Sequence, residues 1–154
     1  MKKQLILFAL ILTAGILKAQ AHCQIPCGIY DDASRIKTME EHVTTIEKSI
    51  TELVKISGDS PQNNNQLVRW VNNKDEHADK LTELVTYYFL AQRIKDSEPV
   101  KKYSAELKLL HSMIVASMKC KQTVDLKQVE NLRTLIHEFE HVYFGEATAE
   151  PVMP

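Results

Sequence analysis

Three residues with metal-binding side chains lie within six positions of one another near the N-terminus: His22, Cys23 and Cys27. Imidazoles and thiolates are strong ligands for transition metals. The segment around them has no helical period, and a proline and a glycine within it favour a tight reversal of the chain. We call residues 22–31 the hook, and its side chains predict a metal site.

The residues before the hook predict a secretory signal peptide. A basic start at Lys2 and Lys3 precedes an apolar run over 5–17, and an Ala-Gln-Ala cleavage signal ends at Ala21. The run is shorter than the roughly 20 residues that span a bilayer. We therefore expect cleavage between Ala21 and His22 and a periplasmic or secreted product. An uncleaved N-terminal anchor is the less favoured alternative.

Composition and charge limit the class of protein. Of the 154 residues, 44% are hydrophobic and 25% are charged, which excludes a disordered chain. Removal of residues 1–21 takes away three lysines and no acidic residue, so the formal net charge changes from −1 to −4. A chain with this charge has no general electrostatic attraction to nucleic acid.

Cleavage would give the hook two further nitrogen donors. His22 would carry a free α-amine, and the amide nitrogen of Cys23 lies between that amine and the Cys23 thiolate. These three donors can close two five-membered chelate rings, and Cys27 can fill a fourth position. A planar set of nitrogen and sulfur donors suits Ni(II) or Cu(II), whereas zinc prefers a tetrahedron. The alternative for the two cysteines is a disulfide in an oxidising compartment.

The sequence His-Cys-Gln-Ile-Pro-Cys-Gly-Ile-Tyr at 22–30 resembles the H-C-x-x-P-C-G-x-Y nickel hook of the nickel superoxide dismutase family. The resemblance implies disproportionation of superoxide by Ni(II)/Ni(III) cycling, one nickel ion per subunit, and a hexamer of four-helix bundles. It implies that the His22 amine, the Cys23 amide and the thiolates of Cys23 and Cys27 are equatorial ligands. The His22 imidazole would be the axial ligand of the oxidised state.

The same resemblance assigns roles to residues outside the ligand set. Tyr30 would lie over the open face of the metal and position substrate or water through its hydroxyl. Arg69 resembles the family arginine that supports the axial imidazole, and Glu40 or Glu41 would be its acidic partner. Gln24 departs from the pattern, because many members have Asp there.

The remaining sequence predicts an all-α fold that holds the hook. Apolar residues recur every three or four positions in four segments, and no alternating run is long enough for a strand. We expect a four-helix bundle over 32–146 and a loose C-terminal tail over 147–154. The predicted helices run from Asp31 or Asp32 to about 58, from about 66 to 94, from about 99 to 120, and from Thr123 or Asp125 to 145, with a polar loop over 59–65.

Two alternative functions compete with the enzyme that the hook suggests. The hook could bind nickel without turnover, as a carrier module. His137, Glu138 and His141 also match the H-E-x-x-H zinc motif, which would suit a small zinc hydrolase. Only 13 residues follow His141, which leaves little room for a third ligand and a substrate cleft, so a partly solvated helix face is the favoured interpretation.

The other titratable residues predict no site. We interpret Cys120 as a structural thiol near a helix end, with modest activation by neighbouring lysines as the alternative. His42, His77 and His111 lie far apart in sequence and form no set with ligand spacing. We expect them at the surface or between helices.

Overall fold

A computed structural model describes Pro26, residues 28–56 and residues 60–145. Within these residues the chain forms four α-helices and no strand, which confirms the predicted all-α bundle. The second helix continues directly into a π-helix. The elements are α1 (Asp32–Lys55), α2 (Pro61–Glu83), the π-helix (Leu84–Arg93), α3 (Val100–Gln122) and α4 (Leu126–Phe144).

Side-chain caps fix where α1 and α4 begin. The Asp31 carboxylate accepts a hydrogen bond from the Ser34 amide at 3.0 Å, so Asp31 caps α1 and leaves Asp32 available for other contacts. Asp125 caps α4 in the same way through the Lys127 amide. Gly145 ends α4 with a φ of 78°, a left-handed conformation that glycine adopts without strain.

The predicted polar loop over 59–65 is wrong for most of its length. Helix α2 begins at Pro61, because the Ser60 hydroxyl accepts from the Asn63 amide at 3.1 Å and the fixed φ of proline suits the first helical turn. The asparagine-rich composition of this segment indicated a loop. Local capping outweighs that weak propensity.

The core is an apolar column between the four helices, as the recurrence of apolar residues every three or four positions predicts. Phe89 of the π-helix packs edge-on against Phe139 of α4, with ring centroids 5.0 Å apart. The other fully buried large side chains include Met39, Ile46, Leu81, Leu110, Met113, Leu132 and Ile136. Because consecutive helices are antiparallel, the start of α1 lies at the same end of the bundle as the π-helix and the end of α4. The hook enters the fold at this end.

A buried lysine of α2 caps the C-terminus of α3. Lys74 of α2 is almost fully buried, and its ammonium donates to the carbonyl oxygens of Cys120 (2.9 Å) and Lys121. These carbonyls belong to the last turn of α3, where no following helical amide can donate to them. Lys74 therefore acts as a C-terminal cap supplied by another helix. No helix within the described residues combines the length and hydrophobicity needed to cross a bilayer.

Candidate functional site

The hook ends in a tight turn. The Ile29 amide donates to the Pro26 carbonyl at 3.1 Å, and Gly28 has a φ of 92°. A positive φ at the third position of a four-residue turn strongly favours glycine. The sequence-predicted ligands His22, Cys23 and Cys27, together with Gln24, lie outside the described residues, and their ligand role stays a prediction.

Tyr30 is the last hook residue whose side chain the structure places against the bundle. Its ring lies over the Arg93 guanidinium, with 4.3 Å between Arg93 Cζ and the ring centroid. The ring of Tyr88 meets it edge-on at 5.8 Å, and the Tyr30 hydroxyl donates to Gln92 Oε1 at 3.4 Å. One face of the side chain is thus held, while 37% of the residue stays exposed. A tyrosine so placed can present its hydroxyl to a small anion or to water.

The support under Tyr30 is a cluster around one carboxylate. Arg93 binds Asp32 through both Nε and Nη2, with the shortest contact 2.6 Å. The hydroxyls of Tyr88 and Tyr143 also donate to Asp32, at 2.7 and 2.8 Å. These residues come from α1, the π-helix and α4, so the cluster joins three elements. We call Asp32, Tyr88, Arg93 and Tyr143 the Asp32 cluster.

The Asp32 cluster is held in a single charge state at neutral pH. Burial opposes the charge on Asp32, but hydrogen bonds from Arg93, Tyr88 and Tyr143 outweigh burial and lower the pKa of its carboxyl. Burial and the hydrogen bond to Asp32 raise the pKa of Tyr88 to about 12, and the same causes raise the pKa of Tyr143. The cluster therefore keeps an ionised Asp32 and neutral phenols, which fixes the direction of each hydrogen bond.

The π-helix sets the position of Arg93. It ends where the Ile94 amide donates to the Phe89 carbonyl at 3.0 Å, and Gln92 and Arg93 occupy its last turn. The wider turns of a π-helix shift the side chains away from α-helical spacing, and such segments are frequent at functional sites. The sequence did not indicate Asp32 or Arg93 as residues of the site. For Arg93 the reason is that a periodicity of 3.6 cannot reveal a change of helix type. The sequence did contain one signal for Asp32. Two aspartates stand in a row at the start of α1, and a helix cap needs only one carboxylate, so the other was free for a different contact.

A cavity of about 560 Å³ adjoins the turn of the hook. Pro26, His42 and Tyr88 are among the residues that line it, and Arg35 and Lys80 bring positive charge to its wall. Arg35 also lies over the Tyr88 ring, 5.4 Å from its centroid. The cavity gives small solutes an approach to the part of the bundle that carries the hook.

The residues that the resemblance placed behind the axial imidazole lie further from this end. Glu40 and Glu41 are about 12 Å along α1 from Asp32, by helical rise. The Glu40 carboxylate faces α4, where its Oε1 is 3.5 Å from His137 Nδ1. Arg69 is exposed and lies about 20 Å before the end of α2. Their supporting role stays a prediction.

The H-E-x-x-H segment forms a helix face with no metal cluster in the described part of the chain. His137 and His141 are exposed on α4, and Phe139 between them is fully buried in the core. His137 lies beside the carboxylates of Glu40 and Glu140, with Nδ1–oxygen distances of 3.5 and 3.9 Å. Among residues 28–56 and 60–145, no group of three or more His, Cys, Asp or Glu side chains is arranged to hold a metal.

Cys120 and the histidines at 42, 77 and 111 lie in three different environments. Cys120 is fully buried, and burial raises the pKa of its thiol to about 11, so it is a structural thiol as predicted. His111 is exposed on α3. His42 and His77 do lie between helices, but they form a close pair that their separation in sequence did not predict, with Nδ1 atoms 2.9 Å apart.

Comparison with known proteins supplies the family. The model of the family described as nickel-containing superoxide dismutase matches residues 17–147, which covers most of the chain and includes the hook. The search of curated proteins and the search of solved structures each found no match.

Proposed function

Since the chain belongs to the family of nickel-containing superoxide dismutases, we propose that its nickel ion is held by His22, Cys23 and Cys27 of the hook. The family establishes the activity: the protein is an oxidoreductase that uses nickel to convert superoxide to dioxygen and hydrogen peroxide. The assignment of the ligands rests on one observation. The matched region contains the only segment with a histidine and two cysteines close together in the sequence.

The donor set fits nickel chemically. The hook offers an amine, an amide nitrogen, an imidazole and two thiolates, all of which must be deprotonated to bind. Electron-rich thiolates and an anionic amide favour a higher oxidation state. Nickel bound by such donors supplies a one-electron couple between its divalent and trivalent states. The turn at Pro26–Ile29 and the anchored Tyr30 would hold the C-terminal side of this short segment against the bundle.

The residues of the bundle hold Tyr30 in place and balance the charges around it. Two superoxide ions and two protons give one dioxygen and one hydrogen peroxide, so a proton donor must lie near the site. Tyr30 has a hydroxyl held at the edge of the bundle by Gln92, and it is open to water on its other side. We assign it the role of orienting superoxide or water. Arg93 positions Tyr30, and its charge is largely balanced by Asp32.

The two alternative functions lose support. A carrier that binds nickel without turnover does not agree with the activity of the family. A zinc hydrolase would need a third ligand beside His137 and His141, and the described residues contain no group of three such side chains arranged to hold a metal.

Processing at Ala21 is part of the proposal, because the amine of His22 exists only after cleavage. The mature protein would then be exported, to the periplasm or outside the cell. The support for this is the sequence pattern before His22: two lysines, an apolar run and an Ala-Gln-Ala signal.

We also propose that the bundle assembles into a homo-oligomer, a hexamer by resemblance to the family. Exposed apolar side chains support assembly at the end opposite the hook: Val54, Leu67, Val68, Met118, Val124 and Leu126. A solvent-exposed apolar group of this kind favours burial against a partner.

The experiment uses protein that begins at His22 and is loaded with nickel, with superoxide decay as the measurement. A control protein keeps one extra residue before His22 and therefore has no free amine at that position. We expect rapid decay in the first and a loss of activity in the second. A Cys23→Ser variant should lose the dismutase activity and the nickel bound by the hook, whereas Cys120→Ala, which removes a buried thiol away from the hook, should keep both.

The outcomes separate the candidate functions. Activity that survives the extra residue would show that the amine is not a ligand. Nickel binding without superoxide decay would favour the carrier module. If neither protein bound nickel, the hook would not be the metal site.

A further inference from the structure

A pair of histidines outside the hook joins the first two helices. His42 of α1 and His77 of α2 approach with 2.9 Å between their Nδ1 atoms, and their rings are inclined by 68°. Only one proton can lie between two nitrogens at this distance, so one ring donates and the other presents a lone pair. Neither residue contributes to the Asp32 cluster or to the anchoring of Tyr30.

Both rings are kept neutral, as a metal ligand must be. Burial, His77 and Lys80 lower the pKa of His42, and burial and Lys80 lower the pKa of His77. The Lys80 ammonium is itself bound by Glu76 at 2.6 Å, which offsets its repulsion of a cation. Neutral imidazoles bind metals without first losing a proton at neutral pH.

The spacing of the two nitrogens suits joint ligation. Metal–imidazole bonds are about 2.0–2.1 Å long, so two nitrogens on one ion are separated by about 2.9 Å at a right angle and about 3.4 Å in a tetrahedron. The observed 2.9 Å lies at the short end of this range. Small rotations of the rings would let both lone pairs point at an ion in place of the shared proton.

The backbone around the pair is fixed, and one side of it is open. Met39 and Val43 flank His42, and Ala78 and Leu81 follow His77; all four are fully buried in the core. His42 lines the cavity that also touches Pro26, with Thr38 and Glu83 on its wall. An ion there has access from solvent and room for water ligands. No third His, Cys, Asp or Glu of the described residues completes the set.

We propose that His42 and His77 form a second metal site for a borderline divalent cation such as zinc or nickel, with water in the remaining positions. Imidazole nitrogen is a preferred donor for such ions. The site uses none of the hook ligands, so it stands or fails independently of the proposed nickel centre. Its His42 lines the cavity that Pro26 of the hook also lines.

The test is a zinc titration of the full chain with Cys23→Ser and Cys27→Ser, so that the hook thiolates do not compete. Calorimetry should show about one zinc ion bound per chain, weakened about tenfold or more when His77→Asn is added. The asparagine amide can take the place of Nδ1 in the contact with His42, which preserves the interhelical hydrogen bond. Far-ultraviolet circular dichroism should confirm that this variant keeps its helices.

Two controls identify the site. His111→Asn removes an exposed histidine of α3 and should leave zinc binding unchanged. Replacing both His137 and His141 by Asn removes the other pair of imidazoles and should also leave it unchanged. The proposal is overturned if zinc does not bind at all, if His77→Asn has no effect, or if only the change at His137 and His141 abolishes binding.

Discussion

Arg93 illustrates how one side chain can serve both the stability of the fold and the arrangement of the site. It neutralises a carboxylate that is 13% exposed, and its guanidinium lies beneath the ring of Tyr30. Its Asp32 contact is 2.6 Å long, nearly the same as the 2.7 Å contact between Arg133 and Glu47 at the surface. Distance alone would therefore rate the two ion pairs as equal.

We expect Arg93→Gln to lower the free energy of unfolding by about 2 kcal/mol or more, because it leaves Asp32 charged and largely buried with only phenol donors. Arg133→Gln should change it by about 0.5 kcal/mol or less, since both partners stay hydrated. Urea denaturation of the two variants measures the difference. Equal losses would show that burial does not strengthen the Asp32 contact.

The hook was the part of the site that could be predicted from individual residues and their order. Its residue types and their order carry the metal chemistry without reference to any distant residue. The Asp32 cluster could not be predicted, because Tyr143 and Asp32 are 111 positions apart and nothing in the local sequence links them. A pairing of this kind depends on which helix faces meet.

The helices meet through contacts that single-helix patterns describe only in part. The spacing of apolar residues predicted four helices and most of their bounds, since that spacing follows directly from helical geometry. It did not predict the start of α2 at Pro61, where a cap decided the boundary, nor the π-helix over 84–93. The lysine that closes α3 was also not predicted, because lysine normally indicates a solvated face.

Lys74 offers a test of helix termination. Lys74→Met keeps the length of the side chain but leaves the carbonyls of Cys120 and Lys121 without their donor. We expect a loss of about 1–3 kcal/mol in the free energy of unfolding, as for other buried polar groups that lose a partner. Lys119→Met, on the exposed face of the same turn of α3, should have an effect of about 0.5 kcal/mol or less. If both changes proved neutral, water would be an adequate cap for α3.

The contact between α1 and α2 should depend on pH in the absence of added metal. The pKa values of His42 and His77 are lowered in the folded chain, so the unfolded chain binds more protons at and below a pH of about 6.5. The free energy of unfolding should therefore decrease as the pH falls from about 7.5 to 5.5. His77→Asn should reduce this dependence, whereas His111→Asn should retain it. Urea denaturation at several pH values provides the measurement, and an unchanged slope in His77→Asn would contradict the assignment.

The molecule as a whole has two different ends. One end carries the hook and the Asp32 cluster, and the other carries a group of six exposed apolar side chains that includes Val68. The fold class was predictable for the whole chain, since four amphipathic segments with short connections have few ways to bury their apolar faces. The distribution of exposed apolar residues between the ends was not, because it requires the direction of every helix.

We expect Val68→Lys to dissociate the proposed assembly, since a charge would replace an apolar side chain at the subunit contact. Analytical ultracentrifugation of the mature protein should then show a smaller species. Val100→Lys changes a more exposed valine at the hook end and should leave the assembly intact. An unaltered sedimentation coefficient in Val68→Lys would place the subunit contact elsewhere.

The hydrogen bond between Tyr143 and Asp32 has a consequence for how the protein is made. Synthesis proceeds from the N-terminus, so the ribosome has produced the hook and α1 long before it adds the last turn of α4. The Asp32 cluster joins residues 111 positions apart, and contacts of such long range form late in folding. Tyr30 would therefore acquire its full support only once α4 has left the ribosome. The support of Tyr30 is on this basis completed after α4 has been made, and a chain truncated before Tyr143 would keep every hook residue but lack one hydroxyl of the Asp32 cluster.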